Sequence, residues 1–282
     1  MPLLASQSVV KKRQPHFTGF NQPTKRMKMT QVQLIQLLEE LTANAWPAEV
    51  VQHVDGWRLR FNGNVTRRAN SVYASQAGEN LLLEEKLTIV EEFYRRRNCP
   101  PRFHICPAAQ PAHLDEFLAG RGYRPDACTA IQLAPLETVL ARAQTNPNYT
   151  VAIGDMFDSS WFEVFCYGEH VKPDTAEARR GILQRIGPRA GFATVYLGHQ
   201  PVAVGLGVVE RGWLGLFSLV TQPEYRRQGA ATALIHVLAC WGQTHQANQV
   251  YLQVMADNAP ALALYARLGF ETLYHYHYRE LT

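Results

Sequence analysis

The stretch Val220-Thr-Gln-Pro-Glu-Tyr-Arg-Arg-Gln-Gly-Ala-Ala231 decides how this chain is read. A strand runs into Pro223, which breaks it, and a basic turn containing Gly229 opens straight into an apolar run from Ala230 to Thr244. The first turn of a helix leaves backbone N–H groups without partners, and the helix dipole adds partial positive charge there. Gly229, Ala230 and Ala231 leave room for a phosphate to reach that backbone, and Arg226 and Arg227 add full charges. The stretch therefore reads as an anion cradle suited to a diphosphate-bearing ligand. It is not a Walker loop, since no G-x-x-x-x-G-K-S/T occurs in the chain. G-x-G-x-x-G is also missing, which argues against a dinucleotide fold, and no G-x-S-x-G supports a hydrolase elbow.

Downstream, Gln249–Val254 reads as a strand. Asn258-Ala-Pro-Ala-Leu-Ala-Leu-Tyr-Ala-Arg-Leu-Gly-Phe270 reads as a helix closed by glycine and an aromatic residue. Arg226-Arg-Gln-Gly-Ala-Ala231 resembles the pyrophosphate loop of the GNAT acetyltransferases, Q/R-x-x-G-x-G/A. Asn258 to Phe270 resembles that superfamily's closing signature, N-x-x-A-x-x-x-Y-x-x-x-G-F. The two stand in the right order, about 30 residues apart, and the resemblance covers Thr150 to Arg279.

The resemblance implies acetyl-CoA as donor and no metal. Arg226, Arg227, Gln228, Gly229, Ala230 and Ala231 would hold the pyrophosphate. Leu219 and Val220 would pair their backbone with the pantetheine arm, Asn258 would contact the donor, and Tyr265 would protonate the leaving thiolate. The general base stays open. Relatives place a carboxylate on the strand entering the loop, and Trp213 to Val220 has none. Glu163, Glu169, His170 and Glu210 are the nearby candidates, with a water relay to one of them or to Ser218 as another route.

The first half carries an echo of the second. Phe117-Leu-Ala-Gly-Arg-Gly-Tyr123 matches Leu264-Tyr-Ala-Arg-Leu-Gly-Phe270, with Leu118 where Tyr265 stands. The segment Ser75-Gln-Ala-Gly-Glu-Asn80 has no basic cradle, so the first half reads as a degenerate copy. The expected fold is α+β: two acetyltransferase-like domains, each a central mixed, mostly antiparallel sheet flanked by helices. The expected division is a disordered basic tail at 1–29, a degenerate N-terminal domain at 30–136, a linker at 137–149 and a catalytic domain at 150–282. Helices are expected over 31–45, 80–97 and 112–120 in the first half, with strands at 56–61, 67–74, 102–106 and 128–133. Arg58, Arg60, Arg67, Arg68, Asn70 and Ser71 form a polar strand pair that could face the acceptor.

Composition narrows the class. The chain has 282 residues, 46% of them hydrophobic and 18% charged, which is globular rather than disordered. Its net charge of +4 hides an asymmetry. Six basic residues precede the first acidic one, Glu39, so the body after residue 28 carries −2. A nucleic-acid partner is therefore not expected. Five scattered cysteines without a C-x-x-C pair, no secretory signal and no 18-residue apolar run point to a reduced, cytoplasmic protein away from membranes. Cys99, His104 and Cys106 could be partial zinc ligands, but intervening prolines and a single histidine favour buried thiols, and His275 and His277 share one face of a strand without further ligands. The expected activity is acetyl transfer to a primary amine of a small molecule, by direct attack in a ternary complex. Transfer to a protein lysine or N-terminus, and a non-catalytic acyl-CoA-binding module, are the alternatives. Monomer and homodimer are both open.

Overall fold

The computed structural model describes residues 29–281; the expected basic tail lies outside the described residues. The chain begins with α1 (Gln31–Ala45), which starts where Thr30 caps it. The Thr30 hydroxyl accepts from the Gln33 N–H at 3.2 Å, and the Gln33 side chain accepts from the Thr30 N–H at 2.9 Å. Ile35, Leu38, Leu41 and Ala45 follow at helical spacing and are buried.

The first half continues through β1 (Val50–Val54), β2 (Trp57–Phe61), β3 (Val72–Ala74), α2 (Leu83–Arg95), β4 (Arg102–Ile105), α3 (Leu114–Gly120) and β5 (Arg124–Pro135). A short helix, α4 (Leu136–Arg142), leads into β6 (Tyr149–Gly154), α5 (Ser159–Gly168), α6 (Ala176–Gln184), β7 (Arg189–Leu197), β8 (Gln200–Glu210) and β9 (Trp213–Thr221). Then come α7 (Ala230–Thr244), β10 (Gln249–Met255), α8 (Ala259–Arg267) and β11 (Glu271–Glu280).

The strand expected over 67–74 is ordered as a strand only at Val72–Ala74, and β1 is a strand that the sequence pattern does not signal. The partner of β2 in its hairpin is β1, joined by Asp55-Gly56 with φ of 39° and 87°. Two consecutive left-handed residues make the turn whose twist suits a tight hairpin, and Asp-Gly favours it. Residues 64–71 instead form turns around Asn70. The Asn70 side chain accepts from the Asn62 and Asn64 N–H groups at 2.7 and 3.0 Å.

All eleven strands join one sheet in the order β1-β2-β3-β4-β11-β5-β10-β9-β8-β7-β6. The last strand of each half lies in the other half's territory. β5 pairs antiparallel with β10, and β11 pairs antiparallel with β4. The two exchanged strands also pair with each other at the centre.

Elements of the halves recur at a constant offset of 147. β3 and β9 overlap it at 72 and 219; α2 and α7 start at 83 and 230, β4 and β10 at 102 and 249, β5 and β11 at 124 and 271. The central register obeys the same rule. Arg124 opposes Glu280 and Leu133 opposes Glu271, so adding or subtracting 147 turns one pair into the other. A pseudo-twofold axis therefore passes between β5 and β11.

Helices cover both faces. On β10, Tyr251 packs with α1, α5 and α6, while Val250 and Leu252 pack with α4, α7 and α8. Alternation along a strand puts these two clusters on opposite sides of the sheet. Helices α2 and α3 bury Trp57, Leu59, Val72 and Phe103 in a third cluster. Tyr274, Tyr276 and Tyr278 are buried on one face of β11, while His275 is exposed and His277 lies on the other side, 2.9 Å from Asp115. Among the described residues, no helix is long and apolar enough to cross a membrane.

The exchange predicts that residues 29–136 and 137–282, produced separately, each lack a strand from the middle of their sheet. Neither should give a cooperative unfolding transition by circular dichroism. Co-expression should restore one, with both pieces eluting together on size exclusion.

Candidate active site

Strands β9 and β10 run parallel but stay paired only from Trp213–Gln249 to Leu216–Leu252. Past Leu216 they part. The separation coincides with a bulge: Leu206 on β8 faces Phe217, the next paired step is Val204 with Val220, and Ser218 sits at φ 49°. A bulge adds residues to one strand and bends it away from its neighbour. The result is a notch whose β9 side carries the backbone of Leu219 and Val220.

At the end of β9 lies the basic loop. Pro223–Tyr225 forms a single 3₁₀ turn, Arg227 has φ 60°, and Gly229 at φ 92° caps α7. That last conformation is strained for any residue with a Cβ, which explains the glycine. The loop is braced from inside. Gln228 Nε2 donates to the Glu224 carbonyl at 2.9 Å, and Arg226 Nε donates to the Thr221 carbonyl at 3.2 Å. Asn146 Nδ2 and the Tyr149 hydroxyl both donate to the Gln228 carbonyl at 3.3 Å. Those two braces precede or open β6, and no pattern in the sequence marks them. The N–H groups of Arg227 to Ala231 donate to nothing among the described residues, and Arg226, Arg227, Gln228 and Gly229 are exposed.

The equivalent loop in the first half shows what such amides do when an anion is present. Residues 79–81 stand 147 before 226–228. Their N–H groups converge on the carboxylate of Asp55, at 3.1 Å from Glu79, 3.2 Å from Asn80 and 3.1 Å from Leu81. Asn80 Nδ2 adds a contact at 3.0 Å and Lys86 Nζ an ion pair at 3.1 Å. Burial by itself would raise the Asp55 pKa. The Glu79 amide, Lys86, Asn80 and the Leu81 amide outweigh it and hold the carboxyl well below the usual range. The first half thus fills its own anion cradle with a side chain, and the second half leaves its cradle open.

Tyr265, on α8, is 8% exposed and packs edge-on against Phe270 with ring centroids 5.8 Å apart. Burial pushes its pKa up to about 12. Its hydroxyl makes no hydrogen bond among the described residues, yet it is not one of the sealed polar atoms, so it faces open space. Asn258 caps the same helix, its side-chain oxygen accepting from the Ala261 N–H at 3.2 Å.

Across the sheet from α7, a cavity of about 540 Å³ opens where β9 and β10 part. Ser218, Gln253 and Met255 line it from the second half, together with Glu169 and Arg179; Trp46, Arg67, Arg68 and Arg102 reach it from the first. Glu169 comes close because Gly168 ends α5 against β9, where a Cβ would collide with the Val220 side chain.

The polar strand pair is split by the fold. Arg67 and Arg68 reach this cavity. Arg60 is buried and donates to the carbonyls of Ala43, Trp46 and Arg68. Asn70 and Ser71 are fully buried, and Arg58 lines a different surface depression. These four do not face the cavity. Glu210 is taken up by Asn44 and Arg211, Glu163 is exposed on α5 and, like His170, does not line the cavity.

His104 meets a different partner from the cysteines near it in sequence. Its Nε2 lies 2.8 Å from Glu39, whose other oxygen accepts from the Tyr274 hydroxyl at 2.6 Å. With Cys106 these residues place one ligand-type atom each within 4.8 Å of one another. The contacts made by Glu39 fasten α1 to the sheet.

A family described as the C-terminal region of the probable histone acetyltransferase Rv0428c matches residues 33–280. The chain is also 33% identical over 249 residues to the uncharacterised N-acetyltransferase YobR of Bacillus subtilis, spanning 87% of this chain and 98% of that protein. The chain belongs to this family of GNAT acetyltransferases. Solved structures agree on the fold. A GCN5-related N-acetyltransferase from Kribbella flavida superposes with a TM-score of 0.66 at 14% identity, covering 87% of this chain and 94% of the other. A tandem GNAT protein from the clavulanic acid biosynthesis pathway superposes with 0.57 at 16% identity, over 70% and 69%. In this GNAT chain the open cradle, the notch and Tyr265 all belong to the second half.

The filled cradle of the first half has a pH signature. Asp55→Asn should lower the urea midpoint at pH 7. Because the folded pKa is depressed, the wild-type advantage should be full above about pH 5 and shrink as pH falls below about 4, where an unfolded aspartate protonates.

Proposed function

We propose that the chain transfers an acetyl group from acetyl-CoA to a primary amine of a small molecule, by direct attack in a ternary complex. The observation that carries this reading is the contrast between the two loops. Equivalent loop positions, 147 residues apart, bind a carboxylate through their amides in the first half, whereas in the second the amides of Arg227 to Ala231 have no partner among the described residues and Arg226 and Arg227 stand beside them.

In this reading the amides from Arg227 to Ala231 and the two arginines take the donor's pyrophosphate. The pantetheine arm runs along Leu219 and Val220 through the notch, passing from the α7 face to the cavity face. Asn258 borders that path at the head of α8. The neutral amine attacks the thioester carbonyl, a C–N bond forms as the C–S bond breaks, and the nitrogen sheds its surplus proton to water as the amide forms. Glu169, beside Ser218 in the cavity, draws the ammonium in and passes its proton on to solvent, directly or through water. A hydroxyl with a pKa near 12 keeps its proton at any working pH. Full transfer to a thiolate of lower proton affinity would be uphill. Tyr265 therefore acts as a hydrogen-bond donor that steadies the thiolate as it forms, and the proton the thiolate finally holds comes from the surroundings.

Titration calorimetry with acetyl-CoA should show micromolar binding that the Arg226→Ala, Arg227→Ala double variant loses. An undiminished affinity in that variant would refute the loop assignment. Tyr265→Phe should cut kcat by about a hundredfold while leaving acetyl-CoA affinity within about twofold. An unchanged kcat would remove Tyr265 from the chemistry.

A further inference from the structure

The cavity at the notch is lined by four arginines, Arg67, Arg68, Arg102 and Arg179, and by three carboxylates, Asp126, Glu169 and Glu280. Two of the arginines are spoken for. Arg67 pairs with Asp126 at 2.5 Å, and Arg102 pairs with Glu280 at 2.6 Å. Arg68 and Arg179 are different. Neither guanidinium donates a hydrogen bond or forms an ion pair among the described residues, and the Nε of each is sealed from solvent without a partner. Both residues are half-buried overall, and a sealed donor such as their Nε ordinarily has a partner, because stripping water from it is costly unless something replaces it.

The two groups also sense each other. Burial and the charge of Arg68 both pull the Arg179 pKa down, against the opposing pull of Glu169. Arg68 is held in place by packing alone, over the rings of Trp46 at 5.4 Å and Phe217 at 5.7 Å. A pair of planar, fork-shaped cations, held close with unused donors, is matched by a carboxylate that can bridge them.

We propose that the acceptor is an amine that also carries a carboxylate, an amino acid in chemical class, with the carboxylate held between Arg68 and Arg179. This rests on the acetyl-transfer reading above. The amine then lies toward Ser218 and Glu169, at the side of the cavity where β9 and β10 part. The charge balance sets the specificity. With the two ion pairs cancelled, the lining keeps two positive charges against the single negative charge of Glu169. A zwitterion presents a group of each sign to that arrangement. A polyamine or a lysine-rich peptide would add positive charge beside two unpaired guanidiniums, which the site rejects.

The test compares glycine, L-alanine, L-phenylalanine, L-glutamate and 4-aminobutyrate with their carboxamides and with spermidine. Turnover is read as CoA thiol release by the full chain. At least one carboxylate should exceed its carboxamide by about a hundredfold in kcat/KM, because a site built for an anion leaves its donors unpaired with the amide. Arg179→Ala should narrow that gap to within threefold. Arg68→Lys, which keeps the charge and most of the stem over Trp46, should narrow it partially.

Thermal shift with the amino acids alone reads the cradle without the donor: the preferred carboxylate should raise the wild-type midpoint and not that of Arg179→Ala. Carboxamides or spermidine used as well as carboxylates would overturn the inference. So would a gap that survives Arg179→Ala, or no midpoint shift by any carboxylate. Loss of acetyl-CoA binding by the folded wild type would instead strike the donor reading, and the thermal-shift arm would still decide the carboxylate.

Discussion

The antiparallel pairing of β5 with β11 is the constraint on which the rest of the molecule depends. Each strand follows a short helix that ends in glycine and an aromatic residue, and each crosses into the sheet of the opposite half. Without β5, β10 would lose its partner on the side away from β9; without β11, β4 would end the first sheet as an exposed edge. The pairing places β10 beside strands of both origins. Residues 64–68, which belong to the first half, come to rest against the bulge of β9. The site is therefore assembled across the pseudo-twofold axis, and the first half contributes side chains as well as support.

Loops at equivalent positions serve two ends in the two halves, with different backbones: Leu82 at the head of α2 is extended at φ −66°, whereas Gly229 at the head of α7 is left-handed at φ 92°. Successive backbone N–H groups at the head of a helix form a concave positive surface that takes any anion of suitable shape. In the first half the anion is covalently part of the chain. Asp55 sits in the hairpin turn between β1 and β2, and Lys86, one turn into α2, braces it. Position 233, 147 after Lys86, is alanine, and the β7–β8 turn that corresponds to the Asp55 hairpin turn is Gly198-His199, with no carboxylate. Neither could fill the second cradle.

Much of this was legible in the sequence because the signals are local. The helix over Ala230–Thr244 and the strands at 213–221 and 249–255 follow from periodicity and from glycine and proline punctuation. The strand Val50–Val54 is hidden in the sequence, because β1 is largely exposed and lacks alternation. The strand exchange was not readable. The echo between 117–123 and 264–270 says that the two closing segments are alike, and for that reason says nothing about which sheet each one joins. The brace of Asn146 and Tyr149 on Gln228, and the arrival of Arg179 beside Arg68, depend on contacts between residues far apart in sequence.

The division of labour between the two faces follows from the sheet. In the proposed reading a donor anchored at α7 would lie on one side, and the cavity lined by Glu169, Arg68 and Arg179 lies on the other. Only where β9 and β10 part can the two communicate, since elsewhere the ladder is closed. Reactants that enter from opposite faces do not compete for space, which is what direct attack in a ternary complex demands. The bulge at Ser218 holds that gap open, and Gly168 lets α5 approach it closely enough to bring Glu169 to its rim. A larger residue at 168 would push the helix away from Val220 and carry Glu169 with it, so the reach of the carboxylate is set by a glycine that touches neither reactant.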